Sequence, residues 1–130
     1  MKEAIYTDKA PRPVGPYSQA IATSELVFIS GQVPLDPATG KIVSDDFSEQ
    51  VKRVMENVRA ILEADGLSLD DIVKVTVYLT DPSKFQEFNT IYATYFKGTY
   101  PSRTTVFVNS LPAGAKIEIE AIAVRHASRT

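Results

Sequence analysis

Two amphipathic helical segments set among five stretches rich in β-branched residues predict an α+β fold, with both helices packed on one face of a mixed β-sheet. Two helices cover one face of such a sheet. The half-polar alternation of the strands makes a second copy of the chain the natural cover for the other face, without fixing how many copies assemble. At 130 residues the chain suffices for one core, so a single domain over 1–130 is expected.

The first helix is expected over 46–65, where Val51, Val54, Met55, Val58, Ile61 and Leu62 recur at intervals of three and four. Asp46 followed by Glu49 resembles a capping box, and Gly66 suits the left-handed position past the helix end. The second is expected from Pro82 to Lys97, with Asp81 as N-cap, proline at the first helical position and Gly98 beyond the end. Its buried stripe is Phe85, Phe88, Tyr92 and Phe96. Strands are expected at 17–22, 26–33, 72–80, 104–109 and 115–124. In 72–80, Val73, Val75, Val77 and Leu79 alternate with Lys74, Thr76, Tyr78 and Thr80, giving one apolar face for the helices to cover.

Composition narrows the chemistry. The absence of cysteine removes disulfides, thiolate nucleophiles and cysteine-ligated metals, and the single histidine, His126, makes a Ser-His-Asp triad or a histidine-based metal site a poor expectation. No metal and no cofactor are expected. Acid–base work falls to carboxylate, tyrosine, lysine, backbone or water. A net charge of −2 with scattered basic residues gives no electrostatic footprint for nucleic acid. No apolar run reaches the ~18 residues of a membrane span, and the N-terminal stretch has no signal-peptide core, so no membrane partner and a cytoplasmic location are expected.

Five places carry candidate chemistry, each with an ordinary structural alternative. Gly15-Pro16-Tyr17-Ser18-Gln19 places a phenol after a rigid turn at a strand entrance, where aromatic residues beside proline turns commonly serve packing. Ser30-Gly31-Gln32 interrupts an apolar strand with a glycine, which marks a bulge or a close ligand approach. Arg103, after Pro101-Ser102 and beside a β-branched strand, offers a planar fork suited to a carboxylate, against the alternative of a solvated surface arginine. In Ile117-Glu118-Ile119-Glu120 the two carboxylates share one strand face roughly 7 Å apart. One could pair with Lys116 or Arg103 while the other activates a water, or both could be solvated. Asn89 lies between apolar positions of the second helix, reaching toward a cleft or simply exposed.

Taken in order, APRPVGPYSQAI, VFISGQVPLDPATGKIV, QVKRVMENVRAILEADGLSLDDIVKVTVYLTD, FNTIYATYF, YPSRTTVFV and LPAGAKIEIEAIAV resemble the reactive intermediate (imine) deaminase family, in its RidA branch, from about Ile5 to Val124. The resemblance implies a chorismate-mutase-like α+β fold and a homotrimer whose sheets form a central barrel with clefts between subunits. It also implies cofactor-free hydrolysis of 2-imino acids to 2-oxo acids and ammonia. Carried over by position, Arg103 would clamp the substrate carboxylate and Glu118 would activate water. Tyr17, Ser30, Gly31 and Asn89 would line the pocket, with Tyr17 counted among the catalytic residues and Thr105 among the substrate contacts. The chain departs from relatives at Ser102, where many have alanine, and at Thr105, where some carry cysteine; the latter removes any thiol-dependent behaviour. Two other roles stay open: sensing of a small carboxylate without turnover, and the ribonucleolytic or translation-inhibiting activity seen among relatives.

Overall fold

In a computed structural model, which describes residues 1–126, the chain forms one six-stranded sheet and two α-helices; the last four residues of the expected 1–130 domain lie outside the described residues. The strands are β1 (Glu3–Ile5), β2 (Ala20–Ala22), β3 (Leu26–Gln32), β4 (Ile72–Leu79), β5 (Ser102–Phe107) and β6 (Ile117–Val124). The helices are α1 (Phe47–Ala64), between β3 and β4, and α2 (Phe85–Ala93), between β4 and β5. The sheet order is β1-β2-β3-β6-β4-β5, antiparallel throughout except for the parallel β4–β5 pair at one edge. That pair is parallel because α2 carries the chain back across the sheet. The expected α+β architecture is therefore present, and no helix among the described residues is long and apolar enough to cross a membrane.

The core lies between the helices and one sheet face. From the sheet, Val27, Ile29, Val75, Val77, Leu79, Ile117, Ile119, Ala121 and Ala123 are buried against the α1 stripe named above and against Phe88 and Tyr92 of α2. Removing this apolar surface from water supplies the main driving force for the fold. The other sheet face has no helix on it. Phe28 there stays exposed beside Ile122, and Lys74, Thr76, Tyr78, Glu118 and Glu120 alternate with the buried residues along β4 and β6.

α1 ends as its sequence predicts. Asp46 accepts a hydrogen bond from the Glu49 amide at 2.9 Å, although the Asp46 amide donates to Ser44 Oγ, so the expected reciprocal box is half realised. Gly66 adopts φ +73°, and the bonds Leu67 N to Leu62 O and Gly66 N to Glu63 O close a Schellman motif.

Four expectations about the elements are corrected. α2 is shorter than 82–97: Asp81 caps a 3₁₀ turn over Pro82–Lys84, and bonds from Thr94 to Ile91 and from Tyr95 to Tyr92 tighten the far end into a turn. β1 was not expected, because three residues are too few to show a period of two. Val73 is exposed instead of facing the helices, since a register shift between Ile72 and Lys74 inserts an extra residue opposite β6 and puts Ile72 in the core in its place. The strand expected at 104–109 begins two residues earlier, which places Arg103 inside β5.

Candidate functional site

The register of β3 against β6 runs from Ile29 opposite Ala121 to Gln32 opposite Ile119, so three steps on β3 meet two on β6. The extra residue is a bulge at Ser30-Gly31, as the glycine predicts. It opens the ladder beside Glu118, whose carboxylate lies against the Gly31 backbone. A Cβ on Gly31 would collide with Glu118 Oε2 and stand 3.0 Å from Cδ. Ser30 is fixed by two bonds, Oγ donating to Ser18 O at 2.6 Å and its amide donating to Gln19 O at 3.0 Å.

Tyr17, Ser30, Gly31 and Glu118 line one cavity of about 590 Å³. Pro11, Arg12, Val14, Gln19, Gln32, Val33, Leu35, Pro112 and Ala113 also contribute to its wall. Tyr17 Oη accepts from the Val14 amide at 3.4 Å, which ties the two ends of the 14–17 turn in the cavity wall. Ala113 holds φ +59°, a left-handed value uncommon for a residue with a Cβ, in the turn that leads back to β6. Burial, followed by the charge of Glu120, raises the Glu118 carboxyl above the ordinary carboxylate range. Glu120 is bound differently: it accepts a 2.6 Å hydrogen bond from Tyr78 Oη, and this bond is the main reason the Tyr78 phenol is raised in turn.

Arg103 is elsewhere. Its β4 partner is Val75, so it points to the helical side of the sheet, while Glu118, opposite Tyr78, points to the open side. The suggested pairing of a β6 carboxylate with Arg103 or Lys116 is not formed; Lys116 Nζ donates to the Asp45 carbonyl. The Arg103 guanidinium stands 5.8, 5.2 and 5.0 Å from the ring centres of Phe85, Phe88 and Tyr92. No carboxylate pairs with it among the described residues. Arg103 and Asn89, together with Tyr92, Ala93, Tyr100 and Pro101, line a second cavity of about 330 Å³. Burial pushes the Tyr92 phenol up to about 12 against the opposing pull of Arg103, and its buried hydroxyl has no hydrogen-bond partner.

The candidates are therefore split. Tyr17, Ser30, Gly31 and Glu118 share one cavity and Asn89 and Arg103 share another, while Thr105, two residues beyond Arg103 on the same face of β5, lines neither. Sequence reasoning missed Gln19 as an organiser. This buried side chain accepts from the Thr7 amide and donates to the carbonyls of Thr7, Ala10 and Pro11, tying the N-terminal loop to the cavity wall. A glutamine one residue before an apolar strand was its only trace in the sequence. The carboxylate beside the bulge can accept a proton from a water, and the aromatic-backed guanidinium can pair with a small carboxylate; each lines a cavity.

Residues 7–125 match the family model described as endoribonuclease L-PSP. A RutC family protein of Pyrococcus horikoshii is 53% identical over 96% of this chain and 99% of its own length. The mouse 2-iminobutanoate/2-iminopropanoate deaminase is 44% identical over 96% of this chain and 93% of its own. Among solved structures, Escherichia coli TdcF with bound serine superposes with a TM-score of 0.92 at 45% identity, covering 95% of this chain and 99% of TdcF. RidA from an Antarctic Psychrobacter gives 0.91 at 44%, with the same coverage. With a family model matched over nearly the whole chain, relatives at half identity and neighbours of the same fold, the chain belongs to the RidA/RutC family.

Proposed function

We propose that the protein hydrolyses 2-imino acids to 2-oxo acids and ammonia, at a site that two copies of the chain complete together. The observation that carries this reading is the separation of an unpaired guanidinium, Arg103 on the edge strand, from the Glu118 cavity by the thickness of the sheet. One chain cannot bring both to a single small substrate. Packing the open sheet face of one copy beside the β5 edge of the next joins the half-sites, and a closed ring of three gives three such clefts. The mouse relative's activity and the serine bound to TdcF favour a small amino-acid-derived ligand.

In this scheme Arg103 holds the substrate carboxylate, and Asn89 and Thr105 stand on the same side. Glu118 accepts a proton from water as the oxygen attacks the imine carbon, and the C=N electron pair moves to nitrogen. Nitrogen takes that proton back to give the neutral carbinolamine; the hydroxyl proton then passes through Glu118 to nitrogen as the C–N bond breaks, so that ammonia leaves as the carbonyl forms. Ser30 and Gly31 wall the reacting centre, and Tyr17 stands at its mouth as a proton carrier. The imine is already electrophilic, so orientation and a placed water carry the rate.

The test is ammonia release from 2-iminobutanoate generated in place by threonine dehydratase. Wild-type protein is expected to exceed the spontaneous rate, and Arg103→Ala to fall back to it while staying folded. A wild-type rate equal to the spontaneous one across several imino acids would sink the proposal and leave sensing of a carboxylate as the better account.

A further inference from the structure

The Glu118 cavity has two charged side chains in its wall, Glu118 and Arg12. Arg12 has no role in the scheme above. Its neighbours in sequence are Pro11 and Pro13, which fix the backbone on either side of it. The Pro11 carbonyl is further held by the buried Gln19 amide at 2.9 Å, and the same side chain grips Ala10 and Thr7. The guanidinium therefore grows from an anchored stem. No carboxylate pairs with it among the described residues. Much of the remaining wall is apolar, with Val14, Val33, Leu35, Pro112 and Ala113, and its other polar side chains, Tyr17, Gln19, Ser30 and Gln32, carry no charge, which leaves Arg12 as its one cation. At about 590 Å³ the cavity has room for more than the reacting carbon and its water.

We infer that Arg12 is a second carboxylate receptor and that the preferred substrates are 2-imino dicarboxylic acids. This rests on the imine-hydrolase reading. Arg103 takes the carboxylate next to the imine, and Arg12 takes the one at the far end of the side chain, across the apolar wall. The chemistry is unchanged: water adds to the imine carbon, ammonia leaves, and a 2-oxo dicarboxylate is the product. A charge-assisted, forked hydrogen bond at the rim of a cavity is expected to favour the dicarboxylate about tenfold over a neutral substrate.

The experiment uses the full-length protein with two imines made in place, 2-iminoglutarate from glutamate by an amino-acid oxidase and 2-iminobutanoate from threonine by its dehydratase. The ratio of their kcat/KM values is read for wild type, Arg12→Ala and Arg12→Glu. The expected result is a ratio above one in wild type that falls about tenfold in Arg12→Ala and further in Arg12→Glu. In parallel, calorimetric binding of the stable products, 2-oxoglutarate and 2-oxobutanoate, should show the same loss for the dicarboxylate. A protein that hydrolyses 2-iminobutanoate but whose ratio does not respond to Arg12 overturns the inference and leaves the hydrolase reading intact. A protein that accelerates neither imine removes both. Arg12 is exposed, so both variants are expected to fold.

Discussion

Two arginines of this chain meet their surroundings in opposite ways. Arg125, just past β6, is spent inside the protein: Nε and Nη2 donate to both Asp65 oxygens at 2.8 and 2.6 Å, Nη2 also reaches Glu3 at 2.9 Å, and Nη1 donates to the Thr23 carbonyl. It staples β1, the end of α1 and the β2–β3 turn together. Among the described residues, Arg103 has three aromatic rings against it and no anion. The rings hold the flat cation by its face, an attraction of about 0.5–1 kcal/mol at a site still open to water, while satisfying none of its N–H groups. A guanidinium fixed in place with its donors unspent is built to bind something, and one with its donors consumed is built to hold the fold.

Substitution should separate the two functions. Arg103→Ala is expected to lower kcat/KM on 2-iminobutanoate about 100-fold or more, the consequence of losing one member of a desolvated ion pair, with little change in thermal stability. Arg125→Ala should do the reverse, costing about 1–2 kcal/mol after screening by solvent and leaving turnover per folded molecule close to wild type. Mixing Arg103→Ala with Glu118→Gln under conditions that exchange subunits sharpens the contrast: about a quarter of the sites in randomly mixed rings regain both groups, and activity returns in proportion. If no activity returns after exchange, the two half-sites do not meet between chains.

Gly31→Ala addresses the other half-site. The methyl group displaces the Glu118 carboxylate, which is the end of a flexible chain, so the fold should tolerate it while the group proposed to activate water is moved. A shift of about 1 Å in such a group is expected to cost on the order of 100-fold in kcat. Wild-type kcat in the purified variant would show that the bulge merely relieves strand curvature.

The raised Glu118 carboxyl gives a pH signature. It must be ionised to take a proton, so turnover should fall on acidification through a pKa above the ordinary carboxylate range, and Glu120→Gln should move that limb to lower pH by removing one of its two causes. Stability runs the other way. Below the unfolded pKa the group is protonated in both states; as pH rises through the folded value, the folded protein must carry a disfavoured charge and loses stability. Glu118→Gln is therefore expected to be inactive and, at neutral pH, more heat-stable than wild type. An acid limb unmoved by Glu120→Gln would assign the titration to another group.

The sequence was most legible where a period extends over many residues. The α1 stripe, its Asp46 cap and the Gly66 stop all appear where expected, and the glycine in Ser30-Gly31-Gln32 announced its bulge. Short or irregular features were hidden. β1 has three residues, and Val73 was misplaced by a bulge that no glycine or proline marks. For the site, residue types pointed to Glu118 and Arg103, but strand parity alone could not reveal that they face opposite sides of the sheet. That depends on which neighbours β5 and β6 find, and pairing is decided by long-range contacts. Gln19 escaped because it acts through a loop whose path only the folded chain defines.

The smallest expected effect tests whether the Arg103 cavity is complete in a free chain. Tyr92 is 4% exposed and its hydroxyl has no partner, although its ring supports Arg103. An unmet buried hydroxyl costs about 1–3 kcal/mol, and Tyr92→Phe removes it while keeping the ring. If nothing satisfies that hydroxyl, the variant should gain about 1 kcal/mol, a rise of roughly 3–5 °C in Tm measured without ligand. The same substitution should leave the aromatic cradle able to hold the guanidinium, so the Tm and the KM for 2-iminobutanoate are informative together. A lower Tm in Tyr92→Phe would mean that the assembled protein supplies an acceptor from a neighbouring copy, which would place the subunit boundary against Tyr92 itself. A raised Tm with a raised KM would instead assign the hydroxyl to the substrate carboxylate, beside the fork of Arg103.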